Sequence, residues 1–469
     1  MPGARLLAVG GGVFTLLVSL IYTLTVTRRL STQDLALVTV INAALGVAFA
    51  FMGYVTTWYP RVLAQEPHRY NELVATELLT STVAWGIYAA YLATTGVQDP
   101  ALYLLGYLII LLNSWPAGAY LSIYRQRLSA TLTYVSQTLK LAGAYMIRSN
   151  PTIYLVLLVN ILMAIPTFLS KVAKPNFGGV IHFLKTALRG APFQTLILLN
   201  SLVNALVIYA IQLAGGGPLL AYYYILFQIT KSVYPSWILT SLMYGSLLKE
   251  EDKVRRSLLD GAVIISIHLL AAAIMLKTPQ WFIALLRPTE INNQPLIEAV
   301  AYNSLALVLG SYSLHINTVI LGVEKNIVIT LKDKPAKALI YDLATSPLII
   351  TLMYYTSASL SAKGMVLTFA LWSALSTVYR LKLLGSQYRP LATQLYLPTL
   401  AAFLAIYLTP LPTIPYNTEN IITTITTYMP NALLIGATSY LYLYALSPPT
   451  RTITKILINK IIPQRDTTH

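Results

Sequence analysis

Long apolar segments alternate with short polar ones along the whole chain. A window of about 19 residues predicts about fourteen membrane-spanning helices. They lie near residues 6–27, 36–58, 73–95, 101–123, 129–147, 152–170, 190–213, 219–246, 257–277, 296–322, 337–356, 361–380, 391–409 and 429–447. Such segments can cross a hydrocarbon core of about 30 Å, where a helix satisfies its own backbone polar groups. The pattern therefore predicts an all-α, polytopic membrane protein.

The positions of lysine and arginine predict the orientation of these spans. With a cytoplasmic N-terminus, 24 of the 32 basic residues fall in cytoplasmic segments and six fall outside. Cytoplasmic loops of membrane proteins carry such an excess of basic residues. We therefore expect a multi-pass protein of the cell membrane with both termini in the cytoplasm. The two remaining basic residues, Lys140 and Lys231, fall inside predicted spans.

Composition narrows the chemistry that the chain can perform. Hydrophobic residues make up 56% of the 469 residues and charged residues only 10%, with a net charge of +16 and no cysteine. Without cysteine there are no disulfides, thiolate metal sites or cysteine nucleophiles, and the five histidines lack metal-ligand spacing. We expect no metal and no cofactor. In a membrane protein the positive charge indicates contact with anionic lipids, not with nucleic acid.

An internal repeat appears when the chain is shifted by 185 residues. The shift places Leu35 on Leu220, Tyr59 on Tyr244 and Leu73 on Leu258, each at a corresponding point of a span. An even number of spans, six, separates the copies, so the copies share one orientation. We expect two pseudo-symmetric six-helix lobes and a C-terminal helix pair. The predicted parts are lobe 1–170, a cytoplasmic linker 171–189 ending in a basic amphipathic segment, lobe 190–382, and residues 383–469 with a basic tail.

Several motifs resemble the polysaccharide-transport branch of the multidrug/oligosaccharidyl-lipid/polysaccharide (MOP) exporter superfamily, which contains the O-antigen flippases. Residues 29–36, RLSTQDLA, resemble the family's opening motif, although Ser31 and Ala36 replace an expected leucine and glycine. Gly53, the glycines 215–217 with Tyr222, and the segment 321–325 (LGVEK) resemble later motifs. The resemblance implies a V-shaped carrier, not an enzyme. It would move a polyprenyl-(di)phosphate-linked glycan to the outer leaflet by alternating access.

The lysines inside spans are the strongest candidates for binding the phosphate of such a substrate. A cation at mid-membrane costs at least about 2.5–3.5 kcal/mol unless the protein compensates for it. Gln137 precedes Lys140, and Gln228 precedes Lys231, by three residues, about one helical turn. We expect these polar stripes to face a hydrated cavity. The structural alternative is a rigid ion pair with a buried acid.

Glu77 and Asp342 are the best candidates for acids buried within predicted spans. Either acid would serve as an ion-pair partner of Lys140 or as the acid that couples transport to an ion gradient. A cation-coupled multidrug exporter of the same superfamily is therefore an alternative, although the first span carries no acid. The lysines suit an anionic cargo better than a cationic drug.

Arg28 and Arg29 occupy the short outer turn between the first two spans. They either draw phosphate toward the outer mouth, or pair with Asp34 and anchor the turn at lipid headgroups. Arg29 lies within the family motif and is the candidate for contact with the substrate phosphate. Arg28 is predicted to be an anchor or a gate residue. Pro235, four residues after Lys231, predicts a kink that would serve as a hinge.

Uncharged polar side chains extend the candidate glycan-binding surface. They are Asn200 and Asn204 on span seven, Ser311, His315 and Thr318 on span ten, and Thr15, Ser19 and Thr23 on span one. The alternative for each is a hydrogen bond that holds two membrane helices together.

A polytopic glycosyltransferase is the enzymatic alternative. Such enzymes need paired carboxylates in a long first outer loop. Here that loop is about eight residues with one acid, Asp34. We therefore expect a non-enzymatic, monomeric transporter. Its expected partners are a lipid-linked glycan, anionic membrane lipids and, through the glycan, glycan-assembly enzymes.

Overall fold

The computed structural model describes residues 2–233, 243, 247, 251–324, 329–410 and 421–461. Over these residues the regular secondary structure is helical and contains no strand, which confirms the predicted all-α class. Helix covers most of each predicted span within the described ranges. Among the described helices, eight are long and apolar enough to cross a membrane. The predicted polytopic membrane class is thus confirmed.

The chain folds as two compact units. Unit 1 is Met1–Tyr224 with Val328–Leu331, and unit 2 is Ile225–Ile327 with Lys332–His469. Unit 1 contains α1 (Pro2–Arg29), α2 (Thr32–Thr56), α3 (Tyr59–Gln65), α4 (Tyr70–Thr94), α5 (Pro100–Asn113), α6 (Ala117–Tyr124), α7 (Gln126–Ser149), α8 (Ile153–Leu169) and α9 (Val180–Ala187). Helix α10 (Ala191–Val233) begins in unit 1 and ends in unit 2. Unit 2 contains α11 (Lys253–Lys277), α12 (Pro279–Leu286), α13 (Gln294–Val323), α14 (Lys334–Leu384), a π-helix (Leu391–Tyr396), α15 (Leu397–Leu408), α16 (Ile421–Leu446) and α17 (Pro448–Ile461).

Two of these helices are broken by a single residue with a positive φ angle. Gly216 (φ 66°, ψ −154°) divides α10, and Ser361 (φ 55°, ψ −141°) divides α14. Glycine adopts this conformation without steric cost, whereas a serine there is strained. The breaks fall between the predicted spans seven and eight and at the start of the predicted span twelve.

Five of the described helices in predicted spans begin after a polar side chain that caps the helix. Each cap accepts a hydrogen bond from a backbone N–H of the first turn: Ser31 for α2, Asp99 for α5, Thr152 for α8, Asp252 for α11 and Asn293 for α13. A cap of this kind stabilises a helix by about 1 kcal/mol. The apolar pattern sets where each helix lies, and the cap sets where it starts.

Hydrogen bonds explain why the first half of α10 belongs to unit 1. The Tyr91 hydroxyl donates to the carbonyl oxygen of Ala205 at 2.9 Å, and the hydroxyls of Tyr54 and Thr195 lie 2.6 Å apart. Unit 1 therefore extends past the predicted linker at 171–189. The two predicted lobes rest on the internal repeat, a different criterion, and remain a prediction.

The predicted linker contains a short 3₁₀-helix, Phe177–Gly179, followed by α9. Phe183 of α9 is fully buried, whereas Ile181 is 70% exposed. Lys185 is also exposed. Helix α9 is thus amphipathic and is fixed to unit 1 by one face. Contact of its other face with lipid headgroups remains a prediction.

The turn after Ser361 depends on a glycine. A methyl group on Gly364 would overlap the backbone carbonyl of Thr356. We expect Gly364→Ala to lower the free energy of unfolding by about 1–3 kcal/mol. Thermal unfolding in detergent measures the effect. Gly86→Ala is the matched control because Gly86 has no atom within 4 Å of the added methyl group, and a destabilisation as large there would contradict this explanation.

Candidate substrate-binding site

Lys140 lies on α7 and contacts α1, both in unit 1. Its Nζ donates a hydrogen bond to the Ser19 hydroxyl of α1 at 2.9 Å. The same Nζ lies 5.1 Å from the centroid of the Tyr22 ring. A hydroxyl accepts a hydrogen bond from an ammonium group, and an aromatic ring attracts it. Lys140 is half-buried, so its side chain is partly accessible within the fifth predicted span.

Gln137, one turn before Lys140, is 7% exposed. Its Oε1 is buried and has no hydrogen-bond partner among the described residues. An unsatisfied buried polar atom costs about 1–3 kcal/mol. Two other polar residues of α7 lie near Gln137 in sequence. The Ser136 hydroxyl donates to the carbonyl oxygen of Met163 on α8 at 2.7 Å, and Thr133 is exposed. In this conformation the Gln137 carbonyl oxygen is buried and its acceptor capacity is unused by the described residues.

The first span supplies the partners of Lys140. Thr15, Ser19 and Thr23 are half-buried. Tyr22 donates to the carbonyl oxygen of Val156 at 3.4 Å. Sequence reasoning identified the hydroxyl stripe but missed Tyr22, whose position three residues after Ser19 on the same helix face was the available signal.

Lys231 lies on the second half of α10, in unit 2. It is exposed and forms no hydrogen bond or ion pair with a described residue. Its Nζ lies 6.0 Å from the centroid of the Phe227 ring, and Gln228 is 9% exposed. Pro235 lies outside the described residues, so its hinge role remains a prediction.

The asparagines predicted on span seven lie on the first half of α10. Asn200 is half-buried and Asn204 is exposed. Both side chains are therefore at least partly accessible. Their contact with a glycan remains a prediction.

His315 lies in the core of unit 2 and connects three elements. Its ring, on α13, is fully buried. Nδ1 accepts from the hydroxyl of Tyr396 in the π-helix at 2.7 Å, and Nε2 donates to the carbonyl oxygen of Ser257 on α11 at 3.0 Å. Gly261 allows the ring to approach α11 because a methyl group there would overlap it. In this conformation the ring has no exposed surface for a substrate, and the geometry supports the helix-holding alternative.

Asp342 forms a buried ion pair. Its Oδ2 accepts from Arg380 Nη2 at 2.5 Å and its Oδ1 from the Ser376 hydroxyl at 2.5 Å. Arg380 Nη1 also donates to the Ser313 hydroxyl at 3.3 Å. Asp342 was predicted either to form an ion pair or to couple transport to an ion gradient. This geometry matches the ion pair, and the partner is Arg380 instead of the predicted Lys140.

Arg28 and Arg29 occupy the last turn of α1, where cations interact favourably with the helix dipole. Arg28 is half-buried and Arg29 is exposed. The following turn is closed by Ser31 and Asp34: the Ser31 hydroxyl donates to Asp34 Oδ2 at 2.7 Å and accepts from the Asp34 backbone N–H at 3.0 Å. Arg29 is thus available to solvent or headgroups.

No family model and no curated protein sequence matches the chain, but solved structures resemble it. A lipid II flippase MurJ in an inward closed conformation has a TM-score of 0.66 and 12% identity, covering 97% of this chain and 99% of that one. An inward-facing multidrug resistance MATE family transporter of the MOP superfamily has a TM-score of 0.55 and 14% identity, covering 80% of this chain and 96% of that one. The chain has the fold of these two transporters. At these identities the likeness establishes the fold alone, and it agrees with the family that the sequence motifs resemble.

Proposed function

We propose that this MOP-fold protein is a flippase for a polyprenyl-(di)phosphate-linked glycan, which it moves from the cytoplasmic to the outer leaflet by alternating access. The observation that carries the proposal is Lys140 with its hydroxyl partner Ser19 inside a span. A phosphorylated headgroup must cross about 30 Å of hydrocarbon while its lipid tail stays in the bilayer. No covalent bond is made or broken in this process.

The cluster around Lys140 has the chemistry that such a headgroup requires. Phosphate oxygens accept hydrogen bonds from an ammonium group, and charge-assisted bonds are roughly twice as strong as neutral ones. The Oε1 of Gln137 has unused acceptor capacity and would accept from a sugar hydroxyl in a conformation that exposes it. Lys231 gives unit 2 an exposed cation of the same kind. Both lysines therefore favour an anionic, hydroxyl-rich cargo.

Multidrug export is the second candidate, because a MATE transporter shares the fold. Two observations favour the flippase. The MurJ likeness extends over 97% of this chain against 80% for the MATE transporter. Furthermore, the two in-span lysines would repel a cationic drug and attract a phosphate.

The test is a transport assay with the full chain reconstituted in phospholipid vesicles. One set of vesicles carries a fluorescent polyprenyl-diphosphate oligosaccharide, and a membrane-impermeant quencher reports how much reaches the opposite leaflet. A second set carries a cationic dye and an imposed proton or sodium gradient. We expect protein-dependent translocation of the lipid-linked oligosaccharide and none of the dye. Dye efflux without oligosaccharide translocation would instead establish the exporter.

A further inference from the structure

Glu77 lies in the interior of unit 1, seven residues after the start of α4. Its side chain is fully buried. Oε2 accepts a hydrogen bond from the Tyr59 hydroxyl of α3 at 2.7 Å. Oε1 is also buried and has no hydrogen-bond partner among the described residues. Within the described part of the chain, the Tyr59 hydroxyl is thus the one hydrogen-bond partner of the carboxyl group.

No described cation faces this carboxyl group. Arg69, before α4, is engaged by Glu66 at 3.2 Å and Glu72 at 2.8 Å. On α9, His182 and Lys185 are exposed. Helix α2 carries only Asp34, at its opposite end, and Tyr54, while α5 carries only tyrosines as ionisable groups. Among the described side chains no cation would compensate a charged carboxylate here, and burying such a charge is strongly disfavoured.

Two aromatic rings, Tyr59 and Phe183, connect Glu77 to the linker helix α9. The Tyr59 ring centroid lies 6.0 Å from that of Phe183 on α9, and Phe183 is fully buried. The chain of contacts therefore runs from Glu77 through Tyr59 to Phe183. Phe183 is one of the buried side chains of α9. By contrast, Ile181 of α9 and Leu188, just after α9, are 70% and 60% exposed. Disturbing this layer would loosen α9.

We propose that Glu77 is a proton-binding site that locks the linker helix α9 against unit 1. In the locked state the side chain is a neutral carboxylic acid beneath Tyr59 and Phe183. When the carboxyl O–H bond breaks, the proton passes to water and the carboxylate must be hydrated. Tyr59 contacts both Glu77 and Phe183 of α9, so hydration of the carboxylate would disturb this ring contact and we expect proton release to loosen α9. This proposal does not depend on what the protein transports.

Two measurements on the full chain in lipid nanodiscs test the proposal. Infrared difference spectra report the carbonyl stretch of a protonated carboxylic acid. We expect such a band in the wild type near neutral pH and its loss in Glu77→Gln, which keeps the size of the side chain. Glu66→Gln is the control, because Glu66 is a partly exposed acid of the same unit. An unchanged spectrum in Glu77→Gln would overturn the proposal.

Hydrogen exchange of the α9 backbone amides is the second measurement. In the wild type, exchange should rise with pH more steeply than the intrinsic chemical rate, by at least about tenfold between pH 6 and 9. In Glu77→Gln, α9 should stay protected and follow the intrinsic rate alone. Tyr59→Phe removes the donor to Oε2 and should raise α9 exchange at every pH. If α9 shows the same pH dependence in the wild type and in Glu77→Gln, the lock does not exist.

Discussion

Replacing Arg380 with leucine is expected to lower the free energy of unfolding by about 3–5 kcal/mol. Asp342 is 6% exposed, and the substitution would leave its carboxylate buried with only the Ser376 hydroxyl as a partner. Removing one member of a buried ion pair is costly because the remaining charge stays desolvated. Unfolding of the purified protein in detergent, followed by temperature or denaturant, measures the loss.

A double variant distinguishes the cost of leaving the Asp342 carboxylate unpaired from the cost of losing the packing of the Arg380 side chain. Arg380→Leu combined with Asp342→Leu removes both charges, and apolar replacements of buried ion pairs are often neutral or stabilising. We therefore expect the double variant to recover most of the stability lost in the single one. Lys382→Leu, at an exposed position two residues later on α14, should be close to neutral. If Arg380→Leu behaves like Lys382→Leu, the ion pair does not stabilise unit 2.

The helices of this protein could be predicted from its sequence because a lipid-exposed segment cannot be an irregular loop or an open strand. A backbone in hydrocarbon must hydrogen-bond to itself, so an apolar segment of the right length is a helix. The break at Gly216 was likewise predictable from three consecutive glycines. The break at Ser361 lies where predicted span eleven has ended and span twelve begins, but its positive φ angle was not predictable because serine rarely adopts one. The π-helix at Leu391–Tyr396 was not foreseen either.

The candidate site was only half predictable, because polar partners in a membrane protein come from distant parts of the chain. Hydropathy identified Lys140 as an unusual charge, but its partner Ser19 is 121 residues away. Arg380 is the last residue of the predicted span 361–380, and it is buried against Asp342, 38 residues earlier. Such pairings follow from helix packing and not from the pattern within any one helix.

His315 illustrates how one polar residue in a span supports two hypotheses. Its spacing with Ser311 and Thr318 described a stripe suited to binding sugars. The structure places its two ring nitrogens on Tyr396 and on the carbonyl oxygen of Ser257. A stripe that binds a substrate and a stripe that joins helices have the same period. Only the contacts distinguish them.

Replacing Lys140 with alanine is expected to slow oligosaccharide translocation about ten- to hundredfold. A hydrogen bond to a charged group contributes about 1.5–3 kcal/mol, and each 1.36 kcal/mol corresponds to about a tenfold change in rate. Lys140→Arg keeps the charge, so it should retain more of the rate than Lys140→Ala. The vesicle quenching assay measures all three rates per folded molecule.

Two further substitutions distinguish phosphate binding from a purely structural role of Lys140. Ser19→Ala removes the hydroxyl that accepts from Nζ but keeps the cation, so translocation should fall far less than in Lys140→Ala. Arg148→Ala removes an exposed cation at the end of the same helix and should leave the rate unchanged. If Lys140 only joins α7 to α1, Ser19→Ala and Lys140→Ala should lower the unfolding temperature equally. The rate per folded molecule would then equal that of the wild type in both variants, which would contradict phosphate binding by Lys140.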